Sequence, residues 1–149
     1  AGYSQTVGTL RLVSRGVDND LAEVLHREGM SLLAYSPLAG GMLTGKYAAG
    51  ARPAGSRYAL FEGVGLRFRK PIVEEAAAAY AALARRCGLS PVQLALGYVK
   101  SRWYLGAMIL GATSVAQLDE DIAAATTELD AATLAEIAQL QQRYPNPAG

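Results

Sequence analysis

Two short apolar runs, "MSLLAYS" (30–36) and "AMILG" (107–111), each break into a glycine-bearing loop on the way to a helix, and this recurrence constrains the fold more than any other feature of the chain. Runs of this length, bounded by turn residues, read as strands, and strands alternating with helices imply right-handed βα units on a parallel sheet. An earlier run, "LRLVS" (10–14), supplies a third strand. Asp18 stands where it can cap the helix "NDLAEVLHRE", and Gly29 where it can end it. Pro71 suits the first turn of a helix whose apolar positions Val73, Ala76, Tyr80, Leu83 and Cys87 recur every three to four residues before Gly88. Ser90 and Pro91 open the next in the same way, with a stripe of Val92, Ala95, Leu96, Val99 and Trp103. Ser114 caps a helix expected to turn Val115, Leu118 and Ile122 inward. Asp130 caps a last one with Leu134, Ile137, Leu140 and Tyr144 inward, stopped by Pro145 and Pro147.

Two or three strands are few for a parallel sheet, which is normally covered on both faces and larger than this. The pattern therefore reads as the end of a larger α/β protein. With 149 residues, 51% hydrophobic and 18% charged, the chain has apolar material for one core and no length for two ordinary domains. A net charge of +1 gives no field to recruit nucleic acid or an anionic membrane, so any anion site must be local. Cys87 is the single cysteine, which rules out an intrachain disulfide. No apolar run approaches the roughly 20 residues of a membrane span, and the start lacks signal-peptide features, so a cytoplasmic setting is expected.

In parallel βα architectures ligands sit beyond the carboxyl ends of the strands. "YSPLAGGMLTGK" leaves a strand at that end, where Gly40, Gly41 and Gly45 let backbone amides approach an anion and Lys46 adds a point charge. "ILGATSVAQLDE" repeats the arrangement through Gly111 to a helix start at Ser114. Two such loops at one end suit a nucleotide with separated phosphates. Neither is a P-loop or a complete G-x-G-x-x-G, so spacing alone leaves open that both are ordinary glycine turns. The aperiodic stretch 40–70 that follows the first loop is long enough to be functional or mobile.

"LLAYSPLAGGMLTGKY", then "RPAGSR", then "ILGATSVAQLDEDI" resemble, in order and spacing, the C-terminal part of the aldo-keto reductases, in the branch of bacterial NADP(H)-dependent reductases and potassium-channel β subunits. The resemblance covers residue 10 to the end and implies a (β/α)₈ TIM barrel of which this chain carries the C-terminal portion, about three strands and their helices. Residues 1–9 do not look like the family. By the same resemblance Tyr35 lies against a nicotinamide face, Ser36, Pro37, Leu38, Ala39 and Gly40 run along the pyrophosphate, and Lys46 and Arg57 meet phosphate oxygens. Gly111, Thr113 and Gln117 match positions around the adenosine 2′-phosphate, and Glu120 and Asp121 positions at the adenine. This implies NADP(H). Asp121 stands where the family usually has asparagine, which both donates and accepts, whereas an ionised aspartate only accepts.

The family's catalytic tyrosine, lysine, aspartate and histidine all precede the matching segment, so no catalytic residue is assigned to this chain. The strand before the first helix normally brings a glutamine to the carboxamide, and the corresponding region offers Val7. The implied activity, in the complete form, is reduction of a small aldehyde or ketone to an alcohol. The expected partners are that carbonyl substrate and the missing N-terminal barrel half, or self-association in its place, with no nucleic acid and no membrane. The rival reading is a non-catalytic NADP(H)-binding or interaction module. Other chemistry-bearing side chains have plain structural readings: His26 as a surface imidazole near a helix end, Cys87 as a small packed residue, Glu74 and Glu75 as helix-dipole partners, Trp103 and Tyr104 as core and rim, and Arg67, Arg69 and Lys70 as a solvated face. No metal site is expected.

Overall fold

The computed structural model describes residues 5–149. Three parallel strands form one open sheet in the order β1 (Gln5–Thr9), β2 (Ser31–Tyr35), β3 (Leu105–Ile109). Gln5 pairs with Ser31 and Thr9 with Tyr35; across β2 and β3, Tyr35 pairs with Ile109, with a register irregularity at Leu32/Leu33. The helices are α1 (Ala22–Arg27), α2 (Arg57–Leu60), α3 (Pro71–Arg86), α4 (Pro91–Lys100), α5 (Val115–Ala125) and α6 (Ala131–Arg143). The architecture is α/β with an incomplete sheet, as the alternation of elements requires.

The first strand lies earlier than "LRLVS". Residues 10–14 form a tight reversal in which Arg11 and Ser14 exchange backbone hydrogen bonds of 3.0 and 3.1 Å. The ladder ends at Thr9 and Tyr35 because β2 bends away at Ser36, which leaves residues 10–14 no strand to pair with. Their apolar character reflects burial of a turn: Leu10, Leu12 and Val13 are all sealed in the core. Val7, singled out in the sequence, falls in β1 opposite Leu33.

Asp18 is not a cap. The first helix opens with a π-helical turn, Val17–Leu21, that has no side-chain cap, and the Asp18 carboxylate instead accepts hydrogen bonds from the hydroxyls of Tyr98 (3.0 Å) and Tyr104. Burial raises both tyrosines above their ordinary range. Gly29 does end this helix, at φ 61°, with the Met30 amide reaching back to the Leu25 carbonyl. Gly88 ends α3 in the same way at φ 68°.

The core lies between the sheet and α3, α4 and α6. Val73, Ala76, Tyr80 and Leu83 of α3, Val92, Ala95, Leu96 and Val99 of α4, and Ile137 with Tyr144 from the last helix and its end are buried as their spacing demands. In β2, Leu32 and Ala34 face this core, while Ser31, Leu33 and Tyr35 on the other face are half-exposed. Two apolar stripes come out differently from expectation. Trp103 lies beyond the end of α4, 64% exposed, edge-on to His26 at 5.6 Å. Val115, Leu118 and Ile122 of α5 face outward, 75%, 47% and 58% exposed, because the helix is turned so that Asp121 and Ala124 are the buried side.

Candidate cofactor site at the carboxyl ends of the strands

β2 stops at Tyr35, and the loop after it is held in a conformation most side chains avoid. Ser36 and Ala39 have φ of 51° and 52°, and Gly40, Gly41 and Gly45 follow at 66°, 97° and 83°. Left-handed backbone costs a non-glycine residue about 1–2 kcal/mol, and such strain clusters at ligand sites. The turn is internally bonded: the amides of Ala39, Gly41 and Leu43 go to the carbonyls of Ser36 and Leu38. Pro37 and Ala39 are buried, and Leu38 packs where the main core meets a satellite cluster of Val92, Leu96 and Ala124.

The aperiodic stretch is not loose. Short turns at Ala39–Thr44, Ala48–Gly50 and Leu66–Phe68, with α2 between, hang on three buried aromatics, Tyr47, Tyr58 and Phe68. Tyr58 stacks on Tyr47 at 4.3 Å, and its hydroxyl donates to the Ala39 carbonyl at 3.4 Å. Burial pushes the Tyr58 phenol above its ordinary range. A Cβ at Gly65 would lie 2.7 Å from the Tyr58 ring, so only glycine lets the returning chain close over it.

Between this loop and the strand end lies a cavity of about 490 Å³, whose walls include Ser36, Gly40, Arg57, Tyr58, Arg67 and Phe68. The structure thus brings Ser36, Gly40 and Arg57 to one cavity, next to the half-buried Tyr35. Lys46 lies against Gly41, where an added Cβ would meet its Cε at 2.7 Å, and its charge reaches Asp121 on α5. The loops after β2 and β3 are therefore neighbours at one end of the sheet.

At the second loop Gly111, Thr113 and Glu120 are exposed. Gln117 accepts from both the amide and the hydroxyl of Thr113 at 3.0 Å, so what this pair still offers an anion is the Gln117 amide donor. Thr113 and Gln117 are joined to each other, and Arg57 lines the cavity. Asp121 is 5% exposed. Burial, then the neighbouring Glu120, raise its carboxyl above the ordinary range, and Lys46 only partly offsets them.

Sequence reasoning missed Arg11. It is fully buried, with its guanidinium carbon 4.8 Å from the Phe68 ring centre and 5.8 Å from that of Tyr35. The available signal was a charged residue inside the apolar run "LRLV". Tyr58 and Phe68, the anchors of the cavity loop, carried no signal beyond being aromatics in an aperiodic stretch.

Comparison with known proteins decides the family, since the model of the aldo/keto reductase family matches residues 5–142. The chain belongs to the aldo/keto reductase family. It is 44% identical over 137 residues to protein tas of Escherichia coli, covering 92% of this chain and 39% of that protein. A probable voltage-gated potassium channel β subunit of Arabidopsis thaliana is 33% identical over 110 residues, covering 72% and 34% of the two chains. Among solved structures, the glycerol dehydrogenase of Gluconobacter oxydans superposes with a TM-score of 0.74 over 94% of this chain and 42% of that one, at 21% identity, which establishes the likeness of fold. The chain thus spans between a third and about two fifths of the length of these proteins. Among the described residues no helix is long and apolar enough to cross a membrane, and no three His, Cys, Asp or Glu side chains gather as a metal site.

Proposed function

We propose that the chain is the NADP(H)-binding, C-terminal part of a reductase in the branch of bacterial NADP(H)-dependent enzymes and channel β subunits, acting in the cytoplasm on small aldehydes or ketones once the rest of the barrel completes it. The observation that carries this reading is the strained loop 36–45 beside a cavity with arginine walls, adjacent to the Ser114 helix start through Lys46 and Asp121. When bound, the cofactor supplies a hydride for a carbonyl carbon; the chain's share is to bind and orient it. Tyr35 offers the ring at the end of β2, and residues 36–40 the fixed backbone beside it. Arg57 and Lys46 supply charge for phosphate oxygens, and Thr113 and Gln117 a hydrogen-bonding pair at the second loop. Asp121 fits an adenine poorly while ionised, because it cannot donate. The whole of 1–149 is read as one partial domain, with 1–4 outside the described residues.

The open sheet favours a second reading, a binding or interaction module without turnover, whose exposed α5 stripe meets a missing barrel half or a second copy. One experiment separates them. The chain is titrated calorimetrically with NADPH and NADH, alone and as an Arg57→Ala variant, and assayed with a panel of aldehydes. NADPH binds more tightly by about tenfold, as one charge-assisted hydrogen bond provides, and Arg57→Ala narrows that gap while leaving NADH nearly unchanged. The chain alone shows no carbonyl reduction. Equal loss for both cofactors would move Arg57 off the 2′-phosphate, absence of any preference would sink the NADP(H) reading, and turnover surviving purification would sink the assignment of catalysis to the missing part.

A further inference from the structure

The wall of the cavity carries more positive charge than the chain neutralises. Arg57 and Arg67, both open to solvent, line it, and among the described residues no aspartate or glutamate does. Behind the wall lies Arg11, fully buried, with Nε and Nη1 lacking a hydrogen-bond partner among the described residues. The guanidinium carbons of Arg11 and Arg67 both lie 4.8 Å from the centre of the Phe68 ring, which is itself part of the wall. Among the described residues Arg11, Arg57 and Arg67 take part in no ion pair, although five pairs form elsewhere, so the lack of acids is local.

Burying a guanidinium without a carboxylate or a full set of acceptors opposes folding, and placing a second one against the same ring adds repulsion. The faces of Phe68 and Tyr35 and a hydrogen bond to the Tyr35 side chain offset part of this, but Nε and Nη1 stay without a partner among the described residues. Burial and the charge of Arg67 together push Arg11 down to about 10, which leaves it charged at neutral pH. Arg69 shows what satisfaction looks like nearby: its Nη1 donates to the Glu62 carbonyl at 2.7 Å.

We infer that Arg67 and Arg11, gathered about Phe68, form an oxyanion subsite of the cavity that takes a carboxylate or phosphate group of a bound ligand. The planar guanidinium of Arg67 supplies paired donors suited to two oxygens of one such group. Arg11 adds charge from behind the ring and acts as a positioning residue. Val64 and Leu66 on the same wall fit the carbon frame of the molecule that carries the anion. The subsite shares the cavity of the proposed cofactor site, so a diphosphate source rests on that reading, whereas a carboxylate source does not. The anion has two chemical sources, the diphosphate of a nucleotide and a carboxylate on a carbonyl substrate.

The test uses the full chain at fixed ionic strength with two probes, inorganic pyrophosphate and glutarate, read by calorimetry and by melting temperature. At least one probe saturates and raises the melting temperature, as a ligand of the folded state must. Arg67→Gln weakens that binding about tenfold. Arg11→Met also weakens it, and raises the melting temperature of the unliganded chain, because an apolar side chain replaces buried donors that nothing satisfies. Saturation by pyrophosphate alone assigns the subsite to a nucleotide diphosphate, and saturation by glutarate assigns it to an acidic carbonyl substrate. Failure of both probes to saturate, or binding that both variants leave unchanged, would overturn the subsite. An Arg11→Met chain that melts lower than the original would make Arg11 a structural residue and overturn its part in the inference.

Discussion

Helices α4 and α5 are written in nearly the same way, and the fold treats them oppositely. Each follows a serine whose hydroxyl accepts from the amide three residues on, at 3.1 Å from Gln93 to Ser90 and 3.3 Å from Gln117 to Ser114. Each carries an apolar stripe at helical spacing. In α4 that stripe is sealed, with Leu96 and Val99 fully buried, whereas in α5 Val115, Leu118 and Ile122 stand in the open. The small satellite cluster of Val92, Leu96 and Ala124 shows why: α5 docks on α4 through the side that carries Ala124. Periodicity tells which side of a helix is apolar. It does not tell whether the covering element is in the same chain, and here the family members are more than twice as long.

The comparison extends to the two halves of the molecule. The α3–α4–α6 side is packed and capped, and the side of the loop after β2 is strained, arginine-rich and partly uncovered. The largest expected effect separates them by stability alone. Leu83→Ala in α3 removes a fully buried side chain and costs about 2–5 kcal/mol. Ile122→Ala in α5 stays within about 0.5 kcal/mol and lowers binding of a hydrophobic dye. Denaturant midpoints of both variants make the check; a loss at Ile122 comparable to that at Leu83 would show that the α5 stripe is covered in solution by a second copy.

The next effect is one of pH. Asp121 is ionised against the preference of its site, since its carboxyl is held above the ordinary carboxylate range by burial and by Glu120. A raised carboxyl leaves the fold unpenalised while protonated and weakens it as pH rises through the raised value. Asp121→Asn should therefore match the original near the acid end and become the more stable of the two as the pH climbs out of the ordinary carboxylate range and through the raised value. A stability difference that is flat across this range would mean that Lys46 fully compensates the charge.

How much of this was legible follows the same division. On the packed side the signals were local: Pro71 and Gly88 bracket α3, Ser90 with Gln93 forms a reciprocal cap, and Asp130 caps α6 through the Thr133 amide at 2.7 Å. The loops at 35–46 and 111–114 were legible as turns leaving the carboxyl ends of strands because glycines and hydroxyls follow the apolar runs. What could not be read depended on distant partners. Asp18 looked like a cap because tyrosines 80 and 86 residues away are invisible to a local pattern. "LRLVS" looked like a strand because a buried turn is apolar as a buried strand is, and Arg11 drew no notice because its neighbours Tyr35 and Phe68 lie far along the chain.

A smaller effect compares the two caps directly. At α4 the cap is reciprocal, with the Ser90 amide also donating to the Gln93 side chain at 2.8 Å, whereas at α5 the side-chain oxygen of Gln117 serves Thr113. Ser90→Ala should cost about 1 kcal/mol and Ser114→Ala about half of that. Equal costs from denaturant titration would show that the Thr113–Gln117 pair contributes to the helix end as a capping box does.

The last effect is small in stability and the most telling about the site. Ser36 is exposed and sits at φ 51° at the point where the chain leaves β2 for the cavity, its carbonyl accepting from the Ala39 amide at 2.9 Å. A left-handed serine carries about 1–2 kcal/mol of strain that glycine escapes. Glycine in turn gives the unfolded chain more freedom, worth about 0.5–1 kcal/mol against folding. Ser36→Gly should therefore stabilise the chain by a few tenths to about 1 kcal/mol, the net of these terms. If the strain serves to hold the loop in its binding shape, the same substitution loosens the loop and weakens binding of NADPH several-fold while the melting temperature rises. Opposite movement of the two readouts identifies the strain as part of the site. A variant that melts higher and binds NADPH as the original does would make the left-handed turn a consequence of packing Pro37 and Leu38 against the helices, and would leave the charges of Arg57 and Lys46 as the basis for binding.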